Sequence, residues 1–295
     1  MRRRLAYRFV LSALLVAGGA IAAPPAAPPL SPGLAQKLAS GDPEQIKAAL
    51  DEARLAGKAA ARLVPVIVEE LERGMPYSLT AAAIDTLGDI ASETDGASAA
   101  PPQRGQHVAD GTPASAAIAA YLHHRSVELR RAAAKALVHT KGPAAARGLR
   151  AALGDQDAMV RGTAATGLGA LKAKDAVPDL FVALDHRVNE AAASIGQLCN
   201  PDECDALAAR MGKLPFDVVT SGLDPILFRP ATEVSDDTKV KLVGRIRELG
   251  TGEANKFLRD VQKRWPATWS PRIKQSIDQG VLATTAAPGT PTGGQ

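Results

Sequence analysis

The chain has 295 residues, 46% of them hydrophobic but only 3% aromatic, and carries 35 basic against 31 acidic side chains for a formal net charge of +4. Alanine prevails and β-branched runs are scarce, a composition that favours closely packed helices and leaves little material for a sheet. A nucleic-acid binder needs a clear surplus of phosphate-neutralising cations, and an excess this small does not supply one.

Residues 1–22 begin "MRRRLAYRF", with Arg2, Arg3, Arg4 and Arg8 and no acidic residue, and continue as an apolar run from Phe9 to Ile21. The segment closes on Ala20, Ile21 and Ala22. A basic head, a short apolar middle and an A-x-A end describe the signal peptide of an exported protein, periplasmic or secreted. The apolar run is shorter than the roughly twenty residues that span a bilayer, so an uncleaved anchor is the weaker reading. No cysteine follows the run, which excludes a lipoprotein anchor. Cleavage after Ala22 removes four arginines and leaves the rest of the chain balanced, 31 basic against 31 acidic. Residues 23–33 then form a proline-rich leader, too stiff and too polar to join a core.

Residues 34–214 repeat. One motif recurs as "LGDI" at Leu87–Ile90, "LVHT" at Leu137–Thr140, "LGAL" at Leu168–Leu171 and "IGQL" at Ile195–Leu198. A second, an aliphatic pair four residues apart, recurs as Ile67/Leu71, Ile118/Leu122, Leu149/Leu153, Leu180/Leu184 and Leu207/Met211. Ile118, Leu149 and Leu180 stand 31 apart, and so do Leu137 and Leu168. Each unit reads as two short helices. Val160, Ala164, Leu168 and Leu171 share one face of the first, and Pro178 sits at the start of the second, where its missing N–H costs little. Neither helix can bury its face alone, so the fold class is all-α, a right-handed α-solenoid of about five hairpins. Gly167 and Gly169 imitate half a dinucleotide fingerprint, but no strand precedes them, and close helix packing explains them better.

The pieces "MVRGTAATGLGALKAKDAVPDLFVAL" and "ELRRAAAKAL", with Arg161 and Arg130 at the arginine position of the first helix, resemble the HEAT repeat in the short form of the bilin lyase-type HEAT-like family. The resemblance is specific from Val127 to Leu184 and looser on either side. It implies an α-solenoid scaffold for protein–protein contacts, and a bilin lyase-like, cofactor-handling enzyme as a remoter alternative. The fifth unit departs from the pattern: Asn189 replaces the arginine and the step shortens to 27 residues.

Within the second unit an insertion over 92–113, rich in Gly, Pro, Ser and Asp and holding a lone His107, reads as a flexible surface loop. Residues 215–280 still read helical but lose the repeat pattern and form a C-terminal cap; residues 281–295 read as a disordered tail. Charge is polarised along the chain. Asp42 to Asp95 carries a net −6 and Lys239 to Lys274 a net +7. The basic end suggests polyanion or nucleic-acid binding as an alternative function.

Catalytic signals are missing. Some HEAT-repeat proteins are metal-dependent hydroxylases with paired His-Glu motifs, but none of the five histidines here precedes a glutamate. His123 and His124 are adjacent and diverge by about 100° on a helix, so they cannot share a metal. No nucleophile has a base nearby, and no cofactor or metal site is expected. Cys199 and Cys204 are the only cysteines. Two thiols cannot make a zinc site, their spacing is not that of a redox pair, and export favours oxidation, so a disulfide stapling the turn of the fifth unit is the best reading, ahead of free thiols.

In HEAT-like solenoids the second helices line the concave face. Positions two residues before each member of the aliphatic pairs lie about 200° away from the core. They are Pro65 and Glu69, Ala116 and Ala120, Arg147 and Ala151, Pro178 and Val182, Asp205 and Ala209. Most are small or apolar. A smooth, weakly charged groove is therefore expected around Glu69, Ala120, Arg147, Ala151, Val182 and Asp205, suited to a helix or extended segment of a protein partner. Together these readings describe an exported, non-catalytic interaction scaffold.

Overall fold

The computed structural model describes residues 30–91, 114–140 and 142–285. The expected signal peptide, most of the leader, the 92–113 insertion and the last ten residues lie outside them. The described residues are helical, and they arrange as two layers.

Six helices stand side by side as the first layer: α2 (Pro43–Ala56), α4 (Tyr77–Ile90), α6 (Val127–His139), α8 (Ala158–Ala170), α10 (Ala191–Leu198) and α12 (Phe216–Phe228). The returning helices form the second: α3 (Val64–Arg73), α5 (Ala114–Ala120), α7 (Pro143–Ala152), α9 (Val177–Asp185), α11 (Pro201–Ala208) and α13 (Asp236–Glu248). A short α1 (Leu34–Leu38) opens the stack, and α14 (Gly252–Arg264) and α15 (Pro271–Thr285) close it.

Local chemistry sets these boundaries. Side chains of Asp42, Ser126, Asp157, Asn200, Ser235 and Thr251 each accept from a backbone N–H in the first turn of the helix they cap. Such a cap contributes about 1 kcal/mol. Pro43, Pro143 and Pro201 occupy the first helical position, and Pro65 and Pro178 the second. No intrahelical donor is lost there.

The repeated motifs point inward. Leu87, Leu137, Leu168 and Ile195 of the first layer are fully buried against Ile67, Ile118, Leu149, Leu180 and Leu207 of the second. Truncating any one of them to alanine removes about 2–5 kcal/mol. Gly167 and Gly169 lie buried inside α8, as packing positions should. A Cβ on Gly167 would stand 2.8 Å from a Leu149 methyl, and one on Gly169 would stand 2.6 Å from Ser194 Oγ.

Three boundaries differ from the sequence reading. Residues 30–33 of the leader join the fold, because Leu30 packs on the core and the Ser31 N–H donates to Glu52 Oε1 at 2.6 Å. At the other end α15 runs to Thr285, five residues past the expected end of the cap, with Val281 and Thr284 buried. The cap also begins as a continuation of the stack: α12 packs on α10 and α13 reaches α11, so they extend both layers.

Candidate functional site

The aliphatic pairs of the second layer are buried, so the opposite side of each helix faces outward. Glu69, Ala120, Arg147 and Ala151 are exposed, and Val182 is 59% exposed although it is apolar. Glu69 is tied to Arg73 one turn on. Asp205 departs from this row. It is half-buried beneath α13, where Lys241 pairs with its carboxylate and Arg245 Nη1 donates to its backbone oxygen at 3.2 Å. The continuation of the second layer into α13 therefore takes Asp205 out of the open surface.

Two grooves run between consecutive second helices. The larger, about 560 Å³, lies between α7 and α9 and is floored by Leu153, Val182 and Ala183, with Arg150, Arg161, Asp179 and His186 on its walls. Arg150 spans it, donating from Nε to Asp179 at 2.6 Å and from Nη1 to Asp175 at 3.0 Å. The smaller, about 290 Å³, lies between α3 and α5 and includes Leu71, Ala120 and Tyr121. Tyr121 donates to the Leu71 carbonyl at 3.3 Å, and burial raises its pKa above the ordinary tyrosine value. Ala120 and Val182 thus line separate grooves along one face.

Arginine–aspartate pairs hold successive units in register. Arg130 binds Asp155 with two hydrogen bonds, and Arg131 does the same with Asp157. The Arg131 guanidinium and the backbone N–H of Val160 hold the Asp157 carboxyl down to about 2, from an ordinary 3.8. Arg210 binds Asp185 at 2.9 and 2.8 Å and stacks its guanidinium 4.5 Å over the Phe181 ring.

Cys199 and Cys204 form a disulfide with Cα atoms 5.4 Å apart, both cysteines fully buried. Cys199 follows the last residue of α10 and Cys204 lies in the first turn of α11, so the bond closes the turn between the layers. Arg229 Nη1 secures the same turn by donating to the Cys199 carbonyl at 2.7 Å.

Sequence reasoning missed an aromatic cleft of about 370 Å³ at the C-terminal end, between α12, α13 and the approach to α15. Trp265 and Trp269 meet edge to face at 5.3 Å, and Phe228 packs on both. Lys239 is 2% exposed, donates to the Arg229 carbonyl and stands 5.6 Å from the Trp269 ring; burial lowers its pKa. The residues that build this cleft are scattered from Phe228 to Trp269, with no spacing that announces them.

Part of the basic surplus of 239–274 is engaged. Lys241 pairs with Asp205, Arg264 with Asp224 and Asp260, Arg272 with Asp237, and Lys274 with Asp278. His124 Nδ1 accepts from the Ser126 N–H at 3.0 Å, a turn-closing role. Among the described residues no three His, Cys, Asp or Glu side chains are grouped to hold a metal ion, and no helix is long and apolar enough to cross a membrane.

Residues 114–190 and 146–223 match the family of HEAT repeats, and this stretch of the chain is a HEAT-like repeat array. No curated protein matches the chain. Among solved structures, the complex of CpcE and CpcF of phycocyanin lyase from Nostoc sp. PCC7120 is similar at 18% identity and a TM-score of 0.42, covering 87% of this chain and 96% of that one. A designed armadillo repeat protein is similar at 15% identity and a TM-score of 0.41, covering 85% and 98%. At such scores neither likeness bears on function.

Proposed function

We propose that this chain is an exported, non-catalytic scaffold that holds a helical or extended segment of a protein partner along its second-helix face. The groove between α7 and α9 carries the reading. It combines an exposed apolar floor at Val182 with polar walls, the arrangement of a surface that recognises another chain. A polyanion site at the C-terminal end is the poorer reading, because Lys241, Arg264, Arg272 and Lys274 are held in ion pairs and Lys239 is buried. Export rests on the sequence of residues 1–22 alone.

The test is a variant with Ala120, Ala151 and Val182 all replaced by glutamate, compared with wild type in cross-linked pull-downs from the cell envelope. All three positions are exposed, so helical circular dichroism and melting are expected to stay close to wild type while capture of the wild-type partner is lost. A folded variant that captures the same partner equally well would sink the groove. Intact-mass analysis of the exported protein tests the leader, with cleavage near Ala22 expected and retention of Met1 contradicting it.

A further inference from the structure

Two guanidinium groups in this array are held alike and used differently. Arg130 and Arg161 are 31 residues apart, each the fourth residue of its helix, α6 and α8. Arg130 Nη1 donates to the carbonyls of His124 and Arg125, six and five residues back, at 3.2 and 3.4 Å. Arg161 Nη1 donates to those of Asp155 and Gln156, again six and five residues back, at 2.8 and 2.9 Å. One nitrogen of each fork is thus clamped onto the preceding turn, which fixes the orientation of the other edge.

At Arg130 that other edge is filled. Nε donates to Asp155 Oδ2 at 2.8 Å and Nη2 to Oδ1 at 3.0 Å, a bidentate pair that is 15% and 10% exposed. One repeat on, the position of Asp155 is occupied by His186. Among the described residues no carboxylate reaches Arg161. Asp185, next to His186, is turned away onto Arg210, and Asp179 is held by Arg150. Arg161 lines the α7–α9 groove together with His186 and Val182.

We propose that Arg161 is a carboxylate clamp: its Nε and Nη2 receive an aspartate or glutamate side chain of the partner segment lying in the α7–α9 groove, in the place that Asp155 takes on Arg130. The proposal rests on the groove reading above and names the chemistry of its occupant. A planar guanidinium fork held by its third nitrogen is preorganised for two parallel hydrogen bonds to a carboxylate. The Arg150 charge on the same walls is met by Asp179 and Asp175, so the cationic group left for the occupant is Arg161. His186 adds a polar edge, and Val182 offers apolar contact to the stem of the incoming side chain. His186 leaves the fork open where an aspartate would close it from within.

The test uses the full chain and a fluorescein-labelled octapeptide of alternating alanine and glutamate, with its alanine–glutamine counterpart as control, read by anisotropy at low salt. Wild type should bind the glutamate peptide about tenfold more tightly than the glutamine peptide, a charge-assisted preference. Arg161→Ala should erase the preference, and Arg161→Lys, which keeps the charge without the fork, should lose most of it. His186→Asp should lower glutamate-peptide binding as far as Arg161→Ala does and raise the melting temperature, because the fork is then filled internally. His186 is exposed, so this variant decides the matter if Arg161→Ala misfolds. A wild-type preference that survives both Arg161→Ala and His186→Asp, or no preference at all, overturns the clamp. Displacement by inorganic phosphate at lower concentration than by acetate overturns the carboxylate assignment. The two readings fail separately. Peptides that bind without charge preference, and are lost in the triple glutamate variant, defeat the clamp and keep the groove; peptide binding that the triple variant retains defeats the groove.

Discussion

The middle of the solenoid and its C-terminal end solve the packing problem with opposite materials. From α8 to α12 the first-layer helices are lined by the buried small residues Ala164, Ala165, Gly169, Ala191, Ala192, Gly196 and Gly222. At the closest point a Cβ on Gly196 would lie 2.0 Å from the Gly222 carbonyl oxygen. From α12 onward rings enter the packing: Phe216 on Phe257, and Phe228, Trp265 and Trp269 together. Alanine and glycine let helices touch backbone to backbone, so such a stack fails when atoms are added. Aromatic packing fails when atoms are removed.

Removing a ring should give the largest effect. Trp265→Ala, at a side chain only 7% exposed, is expected to cost about 3–5 kcal/mol in chemical denaturation. A loss under about 1 kcal/mol, of the order of an ordinary surface change, would show that the rings are peripheral. Adding one methyl group in the stack comes next. Gly196→Ala must push α10 and α12 apart, because the obstacle is backbone, and a cost of about 3 kcal/mol is expected.

At the turn between α10 and α11, replacing both Cys199 and Cys204 with alanine should cost about 2 kcal/mol, the effect of opening a short loop. The oxidised protein should also be about two mass units lighter than the reduced protein, one hydrogen lost per thiol. Freely alkylated thiols in native, unreduced protein would contradict the bond.

The acid limb of stability probes the middle of the solenoid through Asp157. Asp157 has a folded-state pKa depressed to about 2 from 3.8, so its contribution is present above the ordinary value and is lost as pH falls through about 2. Asp157→Asn keeps a capping oxygen but loses the charge facing Arg131, and should flatten the fall in melting temperature across that window. An unchanged acid limb would assign the loss to other carboxylates.

The smallest expected effect reverses the sign of the glycine experiment. Gly244 lies in the middle of α13, and a methyl group added there would meet nothing within 4 Å, so Gly244→Ala should stabilise by about 0.5–1 kcal/mol. The same substitution thus damages one region and strengthens the other. Equal outcomes at Gly196 and Gly244 would erase the distinction.

The repeat array is legible in the sequence because its signal is local. An aliphatic pair at i and i+4 has to be buried, and a period of 31 residues copies that need from unit to unit. The outward face follows by rotation about the same helices, which is why Ala120, Ala151 and Val182 stand where helical geometry puts them. Asp205 obeys the same rotation and is covered all the same, since Lys241 reaches it from 36 residues away and nothing local records that contact. The aromatic cleft escapes for the same reason: Phe228, Lys239 and Trp269 meet only once three helices have converged. Arg161 is visible as part of a repeated pattern, yet its difference from Arg130 lies in the exchange of Asp155 for His186, which has meaning only when the two turns are superposed.

Both tryptophans of the chain sit in one contact pair, Trp265 against Trp269, beside the buried ammonium of Lys239. Intrinsic tryptophan fluorescence is therefore an address-specific signal, blind to the seven helices from α1 to α7 and answering only to the closing end. Far-ultraviolet dichroism, by contrast, averages over every turn of helix. A denaturation followed by both at once measures whether the solenoid comes apart as one body or from its end inward, since repeat arrays lose cooperativity along their length. The placement of two indole rings gives the experimenter a built-in terminal probe, with no label to attach.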